Sequence, residues 1–321
     1  MNEAPMSSEE LAAILQREYT AADSYRDVLA QLELQAFQYY EGQPFGNEVE
    51  GRSQIVLPDV QETIDYMTAS VLRTFVSGDR TVEFEATDEG EEAGAEEATA
   101  AVNYSFMRQQ DGYRILHDGC VDGLLRKIGV FKTCYETVET VTKSRVRIDE
   151  QTLADMQDMD LEGFEVEEVS EDGEVTVKQT RKEKRFTDFA IAPANFLFSP
   201  KARHEDEADY LCHADPEKTR SDLVEMGFDK EQVYSLPGYS TMTSLEVESN
   251  RLDQTMDEES SKALEKVLLC EEYARIDMDG DGIAERVKVY RVDNQILIDA
   301  ETGKPSIETV DDQPFSVFCP F

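Results

Sequence analysis

The prevailing spacing of apolar residues changes along this chain at Gly129. Before it, apolar residues recur every three or four positions, as on one face of a helix. After it they alternate with polar residues, or form short Val-, Thr- and Tyr-rich runs, as in strands. A single switch of period without an internal repeat points to an α+β chain with its helices and its antiparallel strands segregated. The expected organisation is a helical region over residues 1–128. A mainly antiparallel, hairpin-rich β region with short helices follows over residues 129–321.

In the first region Ser7 and Glu10 have capping-box spacing, with Leu11, Ile14 and Leu15 forming the stripe behind them. Tyr25, Val28, Leu29, Leu32 and Ala36 read as a second helix, ended by Gly42 and Pro44. Residues 53–57 read as a strand or extended entry. Asp59 reads as the cap of a helix carrying Val60, Ile64, Met67, Val71 and Phe75. Gly78 and Asp79 break it, and Val82 and Phe84 alternate with charges as in a strand. A further helix carries Ala98, Val102 and Phe106. After Gly112, another carries Tyr113, Leu116, Cys120, Leu124 and Ile128.

In the second region residues 130–148 read as a strand and 152–159 as a short helix. Residues 164–169 and 174–177 flank Asp172-Gly173, a dipeptide suited to a tight hairpin turn. Residues 186–198 read as another strand with a kink at Pro193. Short helices are expected at 216–226 and 229–236 around Gly227, and a polar loop at 240–261. Residues 267–276 and 286–298 are expected to pair antiparallel, with 277–285 as their connection. Val287 and Val289 then face one side, Lys288 and Tyr290 the other.

Charge narrows the function. The chain has 70 acidic and 31 basic residues, a formal net charge of −39. Gripping nucleic-acid phosphates needs Lys and Arg to displace counterions, so this composition excludes a generic basic clamp. No stretch approaches the ~20 apolar residues of a membrane span, and the first ten residues lack a signal-peptide core. Five scattered cysteines without a CxxC pair read as reduced thiols of a cytoplasmic product. There is no phosphate-binding GxxxxGK[ST] loop, no HExxH and no GxSxG, so no catalytic residue is assigned. His117 with Cys120, and Cys212 with His213, read as packed or surface residues. Lys178, Arg181, Lys182, Lys184 and Arg185 form a basic island, read as a strand face that balances the surrounding acid, with no aromatic interleaved.

The sharpest local pattern is the run DMDGDGIAE at residues 277–285. Asp277, Asp279, Asp281 and Glu285 are the candidate metal ligands, with Gly282 permitting a sharp bend and the Ile283 carbonyl as a further donor. The first half matches a calcium loop. The twelfth position is Lys288, where a bidentate Glu is required, and the flanks read as strands. The residues favour a bare hairpin turn, or calcium held no tighter than about 10⁻⁴ M, and no other cofactor.

The order of several segments carries a resemblance that no single one does. They are GRSQIVLPD at 51–59 leading into a helix that ends LRTF at 72–75, then Ser77-Gly78, VNY at 102–104 and DGY at 111–113. IAPANFL at 191–197, Ser199-Pro200, TRSDL at 219–223, EMG at 225–227, the 277–285 turn and QPF at 313–315 follow. From about Phe37 onward the chain resembles the portal proteins, or head-to-tail connectors, of short-tailed bacteriophages. The resemblance implies the wing region of such a subunit, in a ring usually of twelve copies. Such a ring is a non-enzymatic channel for genome packaging and ejection and the joint between head and tail. It implies a virion protein assembled in the bacterial host cytoplasm, with self-contacts and no membrane. Its partners would be a separate terminase motor, scaffold and capsid proteins, tail adaptors and transient, non-specific double-stranded DNA. It also implies a subunit about twice this length, continuing past Pro314-Phe315 into stem, clip and crown, so the chain reads as an N-terminal part. Two other readings stand beside it. A calcium-dependent binding module around Asp277–Glu285 requires further repeats and an export signal. A metal-dependent phage nuclease requires a compact acidic cluster with a nearby Lys. None of these features is visible in the sequence.

Overall fold

The computed structural model describes residues 6–44, 46, 49–52, 55–78, 80–88, 90–147, 164–169, 174–239 and 262–320. Helices come first and antiparallel sheets follow, as the change of period requires. α1 (Ser8–Tyr40) opens with the capping box: the Glu10 N–H donates to Ser7 Oγ, and the Ser7 N–H to the Glu10 carboxylate. The two helices expected here are one, 33 residues long. No Gly or Pro separates the two apolar stripes. Thr20 and Ser24 donate to carbonyls one turn back and leave the helix ladder intact. What changes between the stripes is the environment. Leu11 and Leu15 are buried, while Val28 and Leu32 are exposed.

α2 (Asp59–Val76) is capped by Pro58 without a side-chain bond, so Asp59 is not its cap. It sits in the first turn, where its charge complements the helix dipole. Residues 55–57 enter α2 without joining a sheet. Val82 and Phe84 also lie outside any strand ladder. Their segment is tied to α3 (Glu92–Tyr104) by side chains. Asn103 Oδ1 accepts from the N–H groups of Thr81 and Val82 at 2.6 and 3.2 Å, and Thr99 Oγ1 from that of Phe84 at 2.9 Å. After a π-helical turn at Ser105–Gln109, α4 (Gly112–Arg126) is capped by Asp111 and closed by Lys127 at φ 71°.

β1 (Gly129–Arg147), β2 (Phe164–Val169) and β3 (Glu174–Ile191) build the first sheet, whose order is β10-β1-β3-β2, with β10 at Phe315–Phe318. β1 and β3 pair from Val130↔Ile191 to Arg147↔Glu174, a ribbon about 60 Å long at ~3.3 Å per residue. The separate strand expected from residue 186 is therefore the end of β3. Pro193, without an N–H, starts a 3-10 turn at Pro193–Asn195 that sends the chain into another sheet. The expected features at 152–159, at Asp172-Gly173 and at 240–261 lie outside the described residues.

That second sheet runs β4 (Phe196–Phe198), β5 (Tyr210–Asp215), β6 (Leu269–Ile276), β7 (Glu285–Val292) and β8 (Gln295–Ile296). β9 (Ile307–Thr309) pairs alongside β7. The short helices α5 (Arg220–Glu225) and α6 (Lys230–Ser235) lie between β5 and β6, around Gly227. This sheet is the middle layer. On one face Leu11 and Leu15 of α1 pack on Tyr210, Cys212, Ala274, Val287 and Val289. On the other face, Leu223 of α5 and Val233 of α6 pack on Leu269 and Val292. Beside them Val130, Ile191 and Phe315 of the first sheet pack on Leu211 and Tyr273. β7 has the expected sidedness: Val287 and Val289 are in the α1-side core, while Tyr290 packs with the α5–α6 cluster.

α4 meets β1 at backbone distance. A Cβ built on Gly129 falls 2.0 Å from the Gly119 carbonyl oxygen, and no rotamer change relieves a clash with backbone. Gly129→Ala is expected to lower unfolding free energy by about 1–3 kcal/mol, the usual cost of overpacking. Gly94→Ala, in α3 with nothing within 4 Å of the new methyl, is expected to raise it by about 0.5–1 kcal/mol through helix propensity. Urea denaturation of the two variants checks both signs.

Candidate functional site: an acidic hairpin loop above buried ion pairs

β6 and β7 pair from Leu269↔Val292 to Ile276↔Glu285, so Glu285 is the first residue of β7 and the loop proper is 277–284. The hairpin brings the four candidate ligands together. One carboxylate oxygen from each of Asp277, Asp279, Asp281 and Glu285 lies within 4.8 Å of the others. These carboxylates also have backbone partners. Asp277 Oδ1 accepts from the N–H groups of Gly280 and Asp281 at 2.7 and 3.2 Å, and its Oδ2 from Gly282 at 2.8 Å. Asp279 accepts from Asp281, Asp281 from Ile283, and Glu285 reaches back to the Met278 N–H at 3.1 Å. Gly280 at φ 76° and Gly282 at φ 90° permit the winding that turns these amides inward. A ring of N–H dipoles thus offsets the crowded negative charge. Lys288, at the position that would close a calcium shell, lies elsewhere: its Nζ is 4.8 Å from the Tyr290 ring centroid and 3.5 Å from Glu271. The loop offers a hard cation only the oxygen lone pairs that the amides leave over, so calorimetry is expected to find calcium held no tighter than about 10⁻⁴ M. Asp277→Ala removes the acceptor of three amides and is expected to cost about 1–3 kcal/mol of stability in thermal melts. Asp279→Ala, removing one, is expected to cost less.

Beneath the loop lie ionic contacts that sequence reading missed. On β6, Glu271 faces the first sheet and Glu272 faces α1. Lys132 of β1 is 2.5 Å from Glu271, which also accepts from the Tyr273 hydroxyl at 2.8 Å and lies 3.5 Å from Lys288. Burial works against both charges. Even so, Lys132 holds the Glu271 carboxyl below the usual range, and Glu271 holds the Lys132 ammonium above its own. On the other face Arg291 grips Glu272 with two bonds of 2.8 and 2.7 Å, Tyr210 donates to the same carboxylate at 2.6 Å, and Arg291 reaches Gln16 of α1 at 2.6 Å. The signal for these pairs was in the strands themselves: charges at 132, 271, 272 and 291 interrupt runs that are otherwise apolar.

The other candidates separate. His117 contacts Asp118 at 3.1 Å, and Cys212 is buried within the α1-side core. His213 lies 3.5 Å from Lys132 Nζ. The basic island lies along β3. Tyr135 and Phe186, paired across the ribbon with ring centroids 5.0 Å apart, form an exposed aromatic pair beside it, which the sequence reading did not foresee.

Burial, and then the Lys132 cation, push the His213 pKa down to about 4 from 6.5. Below pH 6.5 the unfolded chain takes up a proton that the folded chain refuses. Stability from this group is complete above pH 6.5 and is lost as pH falls through about 4. Asp122 has the opposite sign: burial raises its carboxyl to about 6, so its stabilising effect is full below pH 3.8 and lost as pH rises through 6. His213→Gln is expected to flatten the loss of stability between pH 6.5 and 4. Asp122→Asn is expected to raise the melting temperature above pH 6 and to change it little near pH 4. Thermal melts across this range test both.

No helix among the described residues is long and apolar enough to cross a membrane. No curated protein matches the chain. A family model does: the one described as Phage SU10 portal protein, over residues 11–321. That match runs from the first turn of α1 through both sheets and the acidic loop, and on it the chain belongs to the Phage SU10 portal protein family.

Proposed function

We propose that this chain is a structural subunit of a phage portal ring that forms the channel for genome packaging and ejection and joins head to tail. The family match over residues 11–321 carries this reading. Two features support it. First, α1 and the entry to α2 leave large apolar side chains uncovered in the single chain: Val28 at 59%, Leu32 at 51%, Ile55 at 81% and Leu57 at 66% exposure. Large apolar side chains left exposed on these two elements fit contact with a neighbouring protein. Second, a subunit with a net charge of −39 gives DNA no strong phosphate site to stall on, which suits a channel through which it slides.

In this reading residues 1–128 and 129–321 are two regions of one wing-forming subunit, usually present in twelve copies. The protein assembles in the host cytoplasm and ends in the virion. A separate terminase supplies the motor, and capsid, scaffold and tail-adaptor proteins dock on the ring. The chain itself performs no catalysis. Its buried charges at Lys132, Glu271, Glu272 and Arg291 pair with one another and join layers of the fold.

Electron microscopy of the purified protein is expected to show rings with a central hole. A population of monomers or open filaments would overturn the assignment. Fluorescence anisotropy with duplex DNA is expected to show binding weaker than micromolar at physiological salt, and weaker still as salt is raised. A sub-micromolar dissociation constant would sink the sliding channel.

A further inference from the structure

The segment at residues 81–85 has the sequence of a strand and no strand partner. Its inner edge is fixed. Thr81, Val82 and Phe84 donate their N–H groups to Asn103 and Thr99, and Asn103 Nδ2 donates to the Val82 carbonyl at 2.7 Å. The backbone of an extended chain presents its groups to alternate sides. With the N–H groups of Val82 and Phe84 turned to α3, those of Glu83 and Glu85 are turned outward. Among the described residues their N–H groups have no acceptor. Glu83 and Glu85 are also exposed. The segment is held straight by a helix on one side and left open on the other.

β3 has a matching opening. One edge pairs with β1 along its whole length. On the other edge β2 covers Val175 to Gln179. Gln110 resumes cover further along, donating to the Phe186 carbonyl at 3.1 Å and accepting from the Asp188 N–H. Between those two covers, no strand among the described residues pairs with residues 180–185 on this edge, and these contain most of the basic island. Because Phe186 and Asp188 turn their backbone groups to Gln110, the same alternation turns those of Lys184 and Lys182 outward. Lys184 is exposed.

We propose that residues 82–85 of one copy add antiparallel to residues 182–185 of β3 in a neighbouring copy. One register serves both edges, with Glu83 opposite Lys184 and Glu85 opposite Lys182. The outward backbone groups then meet, and each pair carries opposite charge, the arrangement that stabilises directly opposed positions in a sheet. The ladder is bounded at one end, because the Thr81 N–H and the Phe186 carbonyl are already engaged. Within one chain the two edges are not paired with each other. Main-chain bonding of this kind is strand addition at an exposed edge. The chemistry selects a second copy of this chain as the partner. In a chain with 39 more acidic than basic residues, an acidic strand finds its basic complement in the island at 178–185. The two edges differ, so the contact is head-to-tail, the kind that generates rings when the rotation closes. This inference rests on the ring reading and names one of its interfaces.

The test uses the purified protein in four forms: wild type, Glu83→Lys with Glu85→Lys, Lys182→Glu with Lys184→Glu, and an equal mixture of the two reversed proteins. Circular dichroism checks that each reversed protein is folded, and mass photometry measures association. Each reversed protein alone is expected to associate about tenfold or more weakly than wild type, since both cross-strand pairs become repulsive. The mixture is expected to regain association, because the lysine edge of one protein then meets the glutamate edge of the other. Hydrogen exchange on the wild type is expected to show residues 82–85 and 182–185 gaining protection on assembly, which reads the contact without any variant. Wild-type rings matched by equally strong association of each reversed protein would overturn the strand addition and leave the ring reading standing. A loss of association that the mixture does not restore would also overturn it. A wild type that stays monomeric would remove both.

Discussion

The two sheets are held in register by one buried ion pair. Lys132 and Glu271 keep only 4% and 9% of their side-chain surfaces, and removing two charges from water is costly unless they meet in good geometry. Here they do, and the second carboxylate oxygen is taken by Tyr273 and approached by Lys288. The consequence is positional. β1 slipped by one residue would set Phe131 or Thr133 against Glu271 and take away its closest cation. The base of the ribbon, the middle of the second sheet and the neighbouring strand β7 are thereby fixed to one another. Glu272, the next residue of β6, does the same on the opposite face. Its bidentate bond to Arg291, and the bond from Arg291 to Gln16, set the height of α1 on the sheet. Two adjacent glutamates on one strand thus fix the layer on each side of it.

Period and turn chemistry made much of this fold legible beforehand. The capping box at Ser7, the long strand after Gly129, the hairpin over 277–285 and the two faces of β7 follow from local spacing, because each is decided by neighbours in sequence. Two of the errors share one cause: the deciding partner lies far along the chain. Val82 and Phe84 read as a ladder strand, but Asn103 and Thr99 of a helix supply their acceptors. The end of β3 at Ile191, and not near residue 185, is set by β1 pairing over its entire length.

The acidic loop shows the same division. Its four carboxylates were readable because they lie within nine residues. That they are held by Gly280, Asp281, Gly282 and Ile283 amides depends on backbone geometry that the two glycines allow but do not dictate. The Lys132–Glu271 pair was not readable, because no local pattern tells a charge that must be buried from one that faces water. A lysine amid Val130, Phe131 and Tyr135, and two glutamates amid Leu269, Cys270 and Tyr273, break the apolar runs. Only the packing of one sheet on the other shows that they meet.

A subunit this acidic must associate against its own charge. At physiological salt that repulsion fades within about 8 Å, so long-range like charge weakens an assembly less than the composition suggests. Contacts closer than that range then decide which surfaces meet. The apolar side chains of α1 and the entry to α2 contribute area there but little direction, since apolar contact is nearly indifferent to rotation and sliding. Direction comes from groups with fixed spacing, such as backbone amides and charges set on alternate residues of an extended chain. In this chain those are the segment at 81–85, held straight by α3, and the edge of β3 over 180–185 that no described strand covers. With the bulk of the charge screened, the proposed contact asks only that a short acidic edge and a short basic edge set the register of one subunit on the next.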